Sequence, residues 1–340
     1  MLAMQHSGLL PDRRLYRAMA GLSVLLVLVC LASLLLGAGD VGPARAWAML
    51  IGQSDPEARF VLESLRLPRT LVGLVVGMAL GVAGALLQAV TRNPLAEPGL
   101  LGVSAGAAFA VALALVLGAT ATTMRIGVAQ FGAMAGCLCV LGVARVSGAG
   151  NDPVRLVLAG AALTGLLLSL TSLLLLFDQR AADEIRFWIV GSLAGRRLEH
   201  LVALMPSLLV AVALILAVAR PLAALSLGER VASGLGHRPG LIRLLVIVAV
   251  ALLVGAATAT AGPIAFVGLV VPFAARALAG PDIRRTLWLC LPLGPLMVIT
   301  ADIISRLLVA PSELPLGVLT ALCGAPVLVA VVRARRMSTL

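Results

Sequence analysis

The sequence predicts an all-α polytopic membrane protein with about ten transmembrane helices. Hydrophobic residues make up 61% of the 340 residues and charged residues only 12%, with a mean hydropathy of +1.10. Soluble domains carry roughly 45–50% apolar and about 25% charged residues. Uncharged stretches long enough to cross a bilayer recur along the whole chain. Arginine also collects in alternate connecting segments, which is typical of a protein that crosses the membrane many times.

The first predicted span covers residues 18–36 and follows three arginines. Its apolar run is longer than a typical signal-peptide core, which favours a membrane helix over a cleaved leader, the alternative interpretation. The next spans are uncharged windows of bilayer length. The predicted second to sixth spans are 70–91, 99–120, 126–144, 156–177 and 201–219.

The uncharged run 244–275 is too long for one span. Adjacent Gly262 and Pro263 stop a helix, so the run is divided into a seventh span, 244–261, and a short eighth, 264–279. The last two predicted spans are 286–307 and 314–332. The whole chain, 1–340, is therefore interpreted as a single transmembrane domain.

Charge distribution predicts the topology. Ten spans put both termini on one side, and with the termini inside, the inner segments contain 16 Arg and 5 acidic residues. The outer segments contain 9 Arg and 9 acidic residues. This positive-inside bias predicts cytoplasmic termini. It also explains the net charge of +11 as a topology signal, so no nucleic-acid partner is expected.

Composition argues against an enzyme. The chain has no Lys, and a P-loop needs one to contact the β- and γ-phosphates of ATP. The five Cys lie in apolar runs and the three His share no metal-ligand spacing. No nucleophile–base pair or metal constellation is visible. We expect no cofactor, no metal site and no catalytic residue.

Two features predict how the helices pack. Gly73, Gly77 and Gly81 recur every four residues in the second span, which favours close helix packing within one bundle over a dimer seam. Gly and Pro also interrupt the chain after the second span, at 92–98, and after the seventh, at 262–268. Spans two and seven run in opposite directions, so the paired breaks favour an inverted repeat with a substrate path between its halves, rather than two ordinary loops.

At these breaks the sequence resembles the FecCD family of membrane permeases, which import iron–siderophore complexes, haem and cobalamin. The matching stretches run in order along most of the chain: Arg66-Leu67-Pro68-Arg69, Gln88, Arg92 to Pro98, Leu101-Gly102-Val103, Gly106, Phe187-Trp188, Gly191-Ser192-Leu193, Leu227-Gly228-Glu229, Leu235-Gly236, Gly262-Pro263, Val267 to Pro272, Gly280-Pro281-Asp282, Arg284-Arg285, Ala301-Asp302, Arg306, Glu313 to Val318 and Gly324-Ala325-Pro326.

The resemblance implies a type II ABC importer permease architecture in a bacterial inner membrane. Such permeases work as dimers, with ATP-binding cassette ATPase subunits inside and a periplasmic substrate-binding protein outside. The missing P-loop fits a chain whose ATPase is a separate subunit. The dimer is formed either by a second copy of this chain or by a related permease.

The resemblance also implies a coupling site in the longest inner loop, 220–243, which in the family seats in a cleft of the ATPase. A short helix at 232–235, bracketed by glycines, is expected there; a solvated amphipathic loop is the alternative. The residues assigned to ATPase coupling are Gly228, Glu229, Arg230, Leu235 and Gly236.

Three outer arginines match positions at which family members receive their binding protein: Arg66, Arg69 and Arg306. The Arg fork suits bidentate pairing with a carboxylate. The alternatives are interface anchoring for the first two, and for Arg306 an i, i+4 ion pair with Asp302. A carboxylate in lipid costs about 2.5–3.5 kcal/mol, so we expect Asp302 to face protein.

The translocation path is assigned to four residues. By resemblance, Asn93 and Leu95 lie near the inner gate. Gly160 and Thr164 belong to a small, weakly polar stripe on the fifth span, for which helix packing is an equally good interpretation. No buried cluster of His, Met or carboxylates suggests direct iron coordination.

The predicted function is the permease subunit of an ATP-driven importer for an iron(III)-siderophore or similar metal chelate. A haem or cobalamin importer of the same family is the alternative. An ion-coupled secondary transporter would require ionisable groups along its path. Only Asp302 and Arg306 lie inside a predicted span, which counts against that class.

Overall fold

The computed structural model describes residues 12–37, 39, 41–119, 122–146, 153–310 and 312–333, and all regular secondary structure within those ranges is helical. A π-helical segment, Val61–Arg66, and a 3₁₀ turn, Pro98–Leu101, accompany the α-helices. The α-helices are α1 Asp12–Leu35, α2 Pro43–Leu50, α3 Pro56–Phe60, α4 Leu67–Thr91, α5 Val103–Val116, α6 Thr122–Val146, α7 Pro153–Leu175, α8 Gln179–Ile189, α9 Leu198–Ser226, α10 Glu229–Gly234, α11 Pro239–Ala261, α12 Val267–Ala279, α13 Ile283–Leu308 and α14 Leu316–Arg333.

The predicted fold class is confirmed. Within the described ranges, seven helical stretches are long and apolar enough to cross a membrane, and they involve α1, α3–α4, α6, α7, α9, α11 and α13. Shorter apolar stretches occur in α5, α12 and α14. Each of the ten predicted windows overlaps one of these helices. The third and eighth windows begin too early, at 99 and 264, because a 3₁₀ turn precedes α5 and an extended break precedes α12.

The sequence interpretation missed three short helices, α2, α3 and α8, which lie between the long ones. Two of them have clear N-caps. The Asp55 carboxylate accepts the N–H of Ala58, and the Asp178 carboxylate accepts the N–H groups of Arg180 and Ala181. Such side chains satisfy backbone donors that a helix leaves unpaired at its start. An Asp followed by Pro or by a polar residue could therefore have predicted where these two helices begin.

Helix α4 lies at the centre of the molecule, packed mainly on α13 and also on α11 and α12. Its glycines make these contacts close. A Cβ added to Gly77 would lie 2.5 Å from the backbone nitrogen of Pro295, and one added to Gly84 would overlap the carbonyl of Gly268. The glycine stripe therefore packs inside the chain, which confirms the prediction of packing within one bundle.

Three long helices form the periphery. Only 6% of the most apolar window of α1 is buried in the chain, against 11% in α7 and 17% in α9. Their exposed side chains are mostly apolar. Apolar surfaces of this kind pack favourably on lipid or on another membrane subunit, as expected for a polytopic membrane protein.

Candidate transport and coupling sites

A buried charge cluster lies where α4 begins and α13 ends; we call Arg69, Asp302, Arg306 and Glu313 the Arg69 cluster. The Arg69 guanidinium donates to both oxygens of Asp302, at 2.7–3.0 Å, and to both oxygens of Glu313, at 2.8 and 2.9 Å. Arg306 pairs with Asp302 at 3.0 Å. Charge-assisted bidentate pairs of this kind are the strongest hydrogen bonds in proteins.

Two arginines join α1 to this end of the bundle. Arg66 donates to the carbonyl oxygens of Leu34, Leu35 and Val41, at 2.8–2.9 Å. Arg306 donates to the carbonyls of Ser33 and Leu36 and to the Ser33 hydroxyl. The last carbonyls of a helix have no intrahelical partner, so the two guanidiniums cap the C-terminus of α1.

The three arginines expected to dock a binding protein therefore share one end of the molecule but are buried within it. Arg66, Arg69 and Arg306 are 5%, 8% and 2% exposed, and all three are bonded inside the chain. The i, i+4 pair of Arg306 with Asp302 is confirmed. Asp302 is 2% exposed, which confirms that it faces protein and not lipid.

At the other end of α4, the chain breaks at Arg92, which adopts a left-handed backbone with φ of 50°. The second break ends at Phe266, with φ of 67°. These are the two non-glycine residues with positive φ in the described ranges. Such conformations cost energy, and they cluster at functional sites.

The two breaks contact each other. A carboxylate oxygen of Glu97, in the first break, accepts the backbone N–H of Phe266, in the second, at 2.7 Å. The ring of Pro98 packs on Gly268, where a Cβ would lie 2.8 Å from the proline Cδ. The sequence predicted the breaks as a matched pair, and the structure adds their direct contact.

The first break also contacts α9. Arg92 donates from Nη2 to the carbonyl of Leu225, in the last turn of α9, at 2.6 Å. The expected gate residues lie beside this bond. Asn93 accepts the N–H of Leu95 through its side-chain oxygen, at 2.9 Å, and the Leu95 side chain is partly exposed.

The other two expected path residues lie on α7, which packs against α5, α6 and the 3₁₀ turn at 98–101. Gly160 is buried and Thr164 is half-buried. The Thr164 hydroxyl is enclosed and has no hydrogen-bond partner within the described residues. The path residues thus lie on the segment that precedes the 3₁₀ turn and on a helix that packs against that turn.

A broad apolar groove of about 1160 Å³ runs along α14 and was not expected from the sequence. The second break forms one wall, through Pro263 and Ala265, and α14 forms the other, through Gly317 and Leu322. Both helix and break were visible in the sequence. Their proximity was not, because it depends on how α14 packs beside α12 and α13.

The coupling segment is more helical than predicted. Helix α9 continues to Ser226 and α10 covers Glu229–Gly234, so the short helix begins three residues before the expected 232–235 and most of 220–243 is helical. Gly228 and Gly236, with φ of 132° and 81°, bracket it as expected. Without a Cβ, glycine adopts such angles easily.

Within this segment, Glu229 forms an ion pair with Arg243 on α11. Arg230 is exposed, and Leu235 is exposed although apolar. Leu227 and Val231 are also exposed in this short segment, and grouped exposed apolar side chains mark interaction sites. Within the described residues, no group of three or more His, Cys, Asp or Glu could hold a metal ion.

An all-helical polytopic bundle with paired helix breaks and a short exposed helix between long ones defines a membrane transport permease. Comparison with known proteins agrees. The model of the FecCD transport family matches residues 25–334, so the chain belongs to that family.

Relatives match over nearly their whole length. The chain is 42% identical to the ferric enterobactin transport system permease protein FepD of Escherichia coli K12, over 93% of this chain and 95% of the relative. It is 38% identical to the iron(3+)-hydroxamate import system permease protein FhuB of Bacillus subtilis 168, over 92% and 83%. A solved metal-chelate type ABC transporter, in an inward-facing conformation, superposes with a TM-score of 0.82 at 31% identity, covering 94% of this chain and 99% of that one.

Proposed function

We propose that this chain carries a ferric siderophore across the bacterial inner membrane, as the permease subunit of an ATP-driven importer. The observation that carries the proposal is 42% identity with a ferric enterobactin permease over 93% of the chain. Further relatives are named for ferric hydroxamate and ferric citrate transport. The proposed cargo is therefore an iron chelate.

The proposal requires partners. The chain lacks Lys, so ATP hydrolysis belongs to separate ATP-binding cassette subunits. A periplasmic binding protein delivers the chelate, and a second copy or a related permease completes a dimer. The arginine-rich segments face the cytoplasm, so both termini are cytoplasmic and the Arg69 cluster lies at the periplasmic end.

Purification followed by uptake tests this proposal. The tagged chain is extracted from its own membranes in mild detergent, and its stoichiometric partners are identified by mass spectrometry. The complex is then reconstituted with ATP inside vesicles and given radiolabelled iron bound to enterobactin, to a hydroxamate siderophore or to citrate. ATP-dependent uptake of at least one chelate is expected. Uptake of haem or cobalamin alone would contradict the proposal that the cargo is an iron chelate. Uptake driven by an ion gradient without an ATPase would contradict the proposal that the transporter is ATP-driven.

For docking, we propose that a carboxylate of the binding protein pairs with the arginines of the periplasmic end, Arg66, Arg69 and Arg306. Arg69 is the most accessible to exchange, because its partner Glu313 is 31% exposed at the side chain. Glu313 then acts as an internal competitor for the Arg69 fork. This explains how a buried arginine is available to a partner without being left unpaired.

Removing the competitor tests this assignment. Glu313→Ala should tighten binding of the binding protein by up to about fivefold, because a partly exposed ion pair is worth no more than about 1 kcal/mol. Glu63→Ala is the matched control, since it removes the same charge from an exposed site paired only with Arg59. If the two variants change the affinity for the binding protein equally, Arg69 does not take part in docking. If Glu313→Ala alone weakens binding, the role of Glu313 is structural.

For coupling, we propose that the α10 region seats in the ATPase through Arg230 and Leu235, while Gly228 and Gly236 set its turns. Glu229 contributes indirectly, because its ion pair with Arg243 fixes α10 against α11. The double variant Arg230→Ala, Leu235→Ala should reduce chelate uptake while leaving the thermal stability of the permease unchanged. The matched control replaces two exposed residues, Arg186→Ala in α8 and Leu198→Ala at the start of α9. Normal uptake in the α10 variant would exclude these side chains from coupling.

For the path, we propose that Asn93 and Leu95 contact cargo near the cytoplasmic exit, and that Gly160 and Thr164 line the passage above them. A weakly polar lining suits a passage that must not retain its cargo. Thr164→Val keeps the volume and removes the hydroxyl, so uptake with an altered apparent affinity is expected. An unchanged affinity for every chelate would assign Thr164 to helix packing.

A further inference from the structure

We propose that the segment 92–97, here called the strut, transmits movement between the α9–α10 junction and the wall of the apolar groove, with Arg92 and Glu97 as its positioning residues. This inference rests on the proposed function. It assigns to two charged side chains a role that goes beyond docking, ATPase contact and the cargo path.

The first anchor joins the strut to the coupling segment. The Arg92 guanidinium donates to the carbonyl of Leu225 at 2.6 Å, three residues before Gly228, the N-cap of α10. Carbonyls in the last turn of a helix carry partial negative charge, so a guanidinium is a well-matched partner. A shift of α10 therefore displaces the group to which the strut is bonded.

The second anchor joins the strut to the start of α12. Glu97 accepts the N–H of Phe266, the residue that caps this helix. The first N–H groups of a helix have no intrahelical partner and carry partial positive charge, so a carboxylate satisfies and stabilises them. Glu97 thus bonds the N-cap N–H as the N3 carboxylate of a capping box does, but from 169 residues away in the sequence.

The segment between the anchors is short and stiff. Asn93 closes a turn through its bonds with Leu95 and Ala96, and Ala96 is almost fully buried. Pro94 lies inside the segment and Pro98 follows it, and proline fixes the backbone φ angle. A rigid connection passes displacement from one anchor to the other instead of absorbing it.

Beyond the second anchor, the strut reaches the groove. Phe266 packs closely on Gly324 of α14, where any Cβ would overlap its side chain. Pro263 and Ala265, in the same break, line the groove. The strut thus completes a chain of contacts from α10 to the groove wall, and both of its junctions contain a strained residue, Arg92 or Phe266, of the kind found where a backbone switches between states.

Hydrogen exchange tests the geometry without any cargo. The amide of Phe266 is followed by mass spectrometry in the purified full chain with its co-purified subunits. Glu97→Ala should raise its exchange rate about tenfold or more, because a hydrogen bond to a charged group contributes at least that factor. Glu97→Gln keeps an oxygen acceptor without the charge, so its exchange rate should lie between those of wild type and Glu97→Ala. Equal exchange in wild type and Glu97→Ala would overturn the proposal.

Coupling is measured in the same variants as uptake of radiolabelled ferric enterobactin, or of whichever tested iron chelate the wild type accepts, per ATP hydrolysed. Glu97→Ala and Arg92→Ala should each lower this ratio severalfold, Glu97→Gln should restore part of it, and the exposed Glu63→Ala should leave it unchanged. Arg92→Ala should leave the Phe266 amide protected, and it serves as the test if Glu97→Ala does not fold. An unchanged ratio in Arg92→Ala overturns the strut. A wild type that takes up no chelate contradicts the proposed function, while the exchange experiment still tests the strut.

Discussion

The two ends of α4 are held in contrasting ways. At its start, the buried pair of Arg69 with Asp302 fixes α4 to α13, the partly exposed Glu313 also binds Arg69, and two arginines cap α1 there. At its end, one hydrogen bond donated by Arg92 and one accepted by Glu97 hold the break, next to close glycine contacts. Buried ion pairs are very costly to separate, whereas strain at this end is confined to the junction residues Arg92 and Phe266, which can change conformation while the strut between them stays stiff. The first end is built to stay fixed and the second to move.

The largest effect is expected when the fixed end of α4 is disrupted by a substitution in the Arg69 cluster. Asp302→Ala leaves the guanidiniums of Arg69 and Arg306 buried with one partner fewer, which should lower the free energy of unfolding by about 3–5 kcal/mol. Denaturation of the purified chain in detergent measures it. Asp183→Ala removes a carboxylate from an exposed i, i+3 pair and should cost less than about 0.5 kcal/mol. Similar losses in the two variants would contradict a buried cluster.

The next effect concerns the glycine contacts near the mobile end. Gly84→Ala places a methyl group against the carbonyl of Gly268 and should cost about 1–3 kcal/mol through overpacking. Gly142→Ala, also within a helix, meets nothing within 4 Å and should instead stabilise by about 0.5–1 kcal/mol. Thermal unfolding of both variants compares them. A Gly84→Ala protein as stable as Gly142→Ala would show that α12 shifts freely away from α4.

A smaller effect distinguishes the two carboxylates of the Arg69 cluster. Glu313 is ten times more exposed than Asp302 at the side chain, 31% against 3%, so water replaces much of what it contributes. Glu313→Gln should therefore cost no more than about 1 kcal/mol. Asp302→Asn, at the buried position, should cost clearly more in the same unfolding experiment. Equal costs would mean that the whole cluster behaves as one buried unit.

The smallest effect comes from an exposed charge pair, which serves as a reference for the buried cluster. The N–H of Ala58 and the guanidinium of Arg45 hold the pKa of Asp55 below its usual value. A lowered pKa stabilises the fold above the unfolded value of about 3.9 and loses that effect as the pH falls through the lower folded value. The stability difference between wild type and Asp55→Ala should therefore shrink in strong acid. A difference that grows on acidification would contradict the lowered pKa.

The sequence predicted much of the fold because membrane helices are encoded locally. Uncharged windows, the Gly262-Pro263 break and the glycine stripe of α4 each depend on neighbouring residues. The buried state of Arg66 and the pairing of Arg69 with Glu313 were not predictable, since they join residues 25 to 244 positions apart. The bond between Glu97 and Phe266 has the same origin. Such side chains meet only when the helices pack, and the spacing of residues along the sequence does not indicate which of them will meet.

The length of α4 determines how far a small tilt would move its far end. Its 25 residues rise about 1.5 Å each, so it is roughly 37 Å long. With a pivot at the Arg69 cluster, each degree of tilt would displace Thr91, at the far end, by roughly 0.6 Å. A rotation too small to disturb the ion pairs at the pivot thus produces ångström-scale travel at Arg92. Because the rigid cluster lies at one end of α4 rather than at its middle, the whole length of the helix would contribute to this displacement.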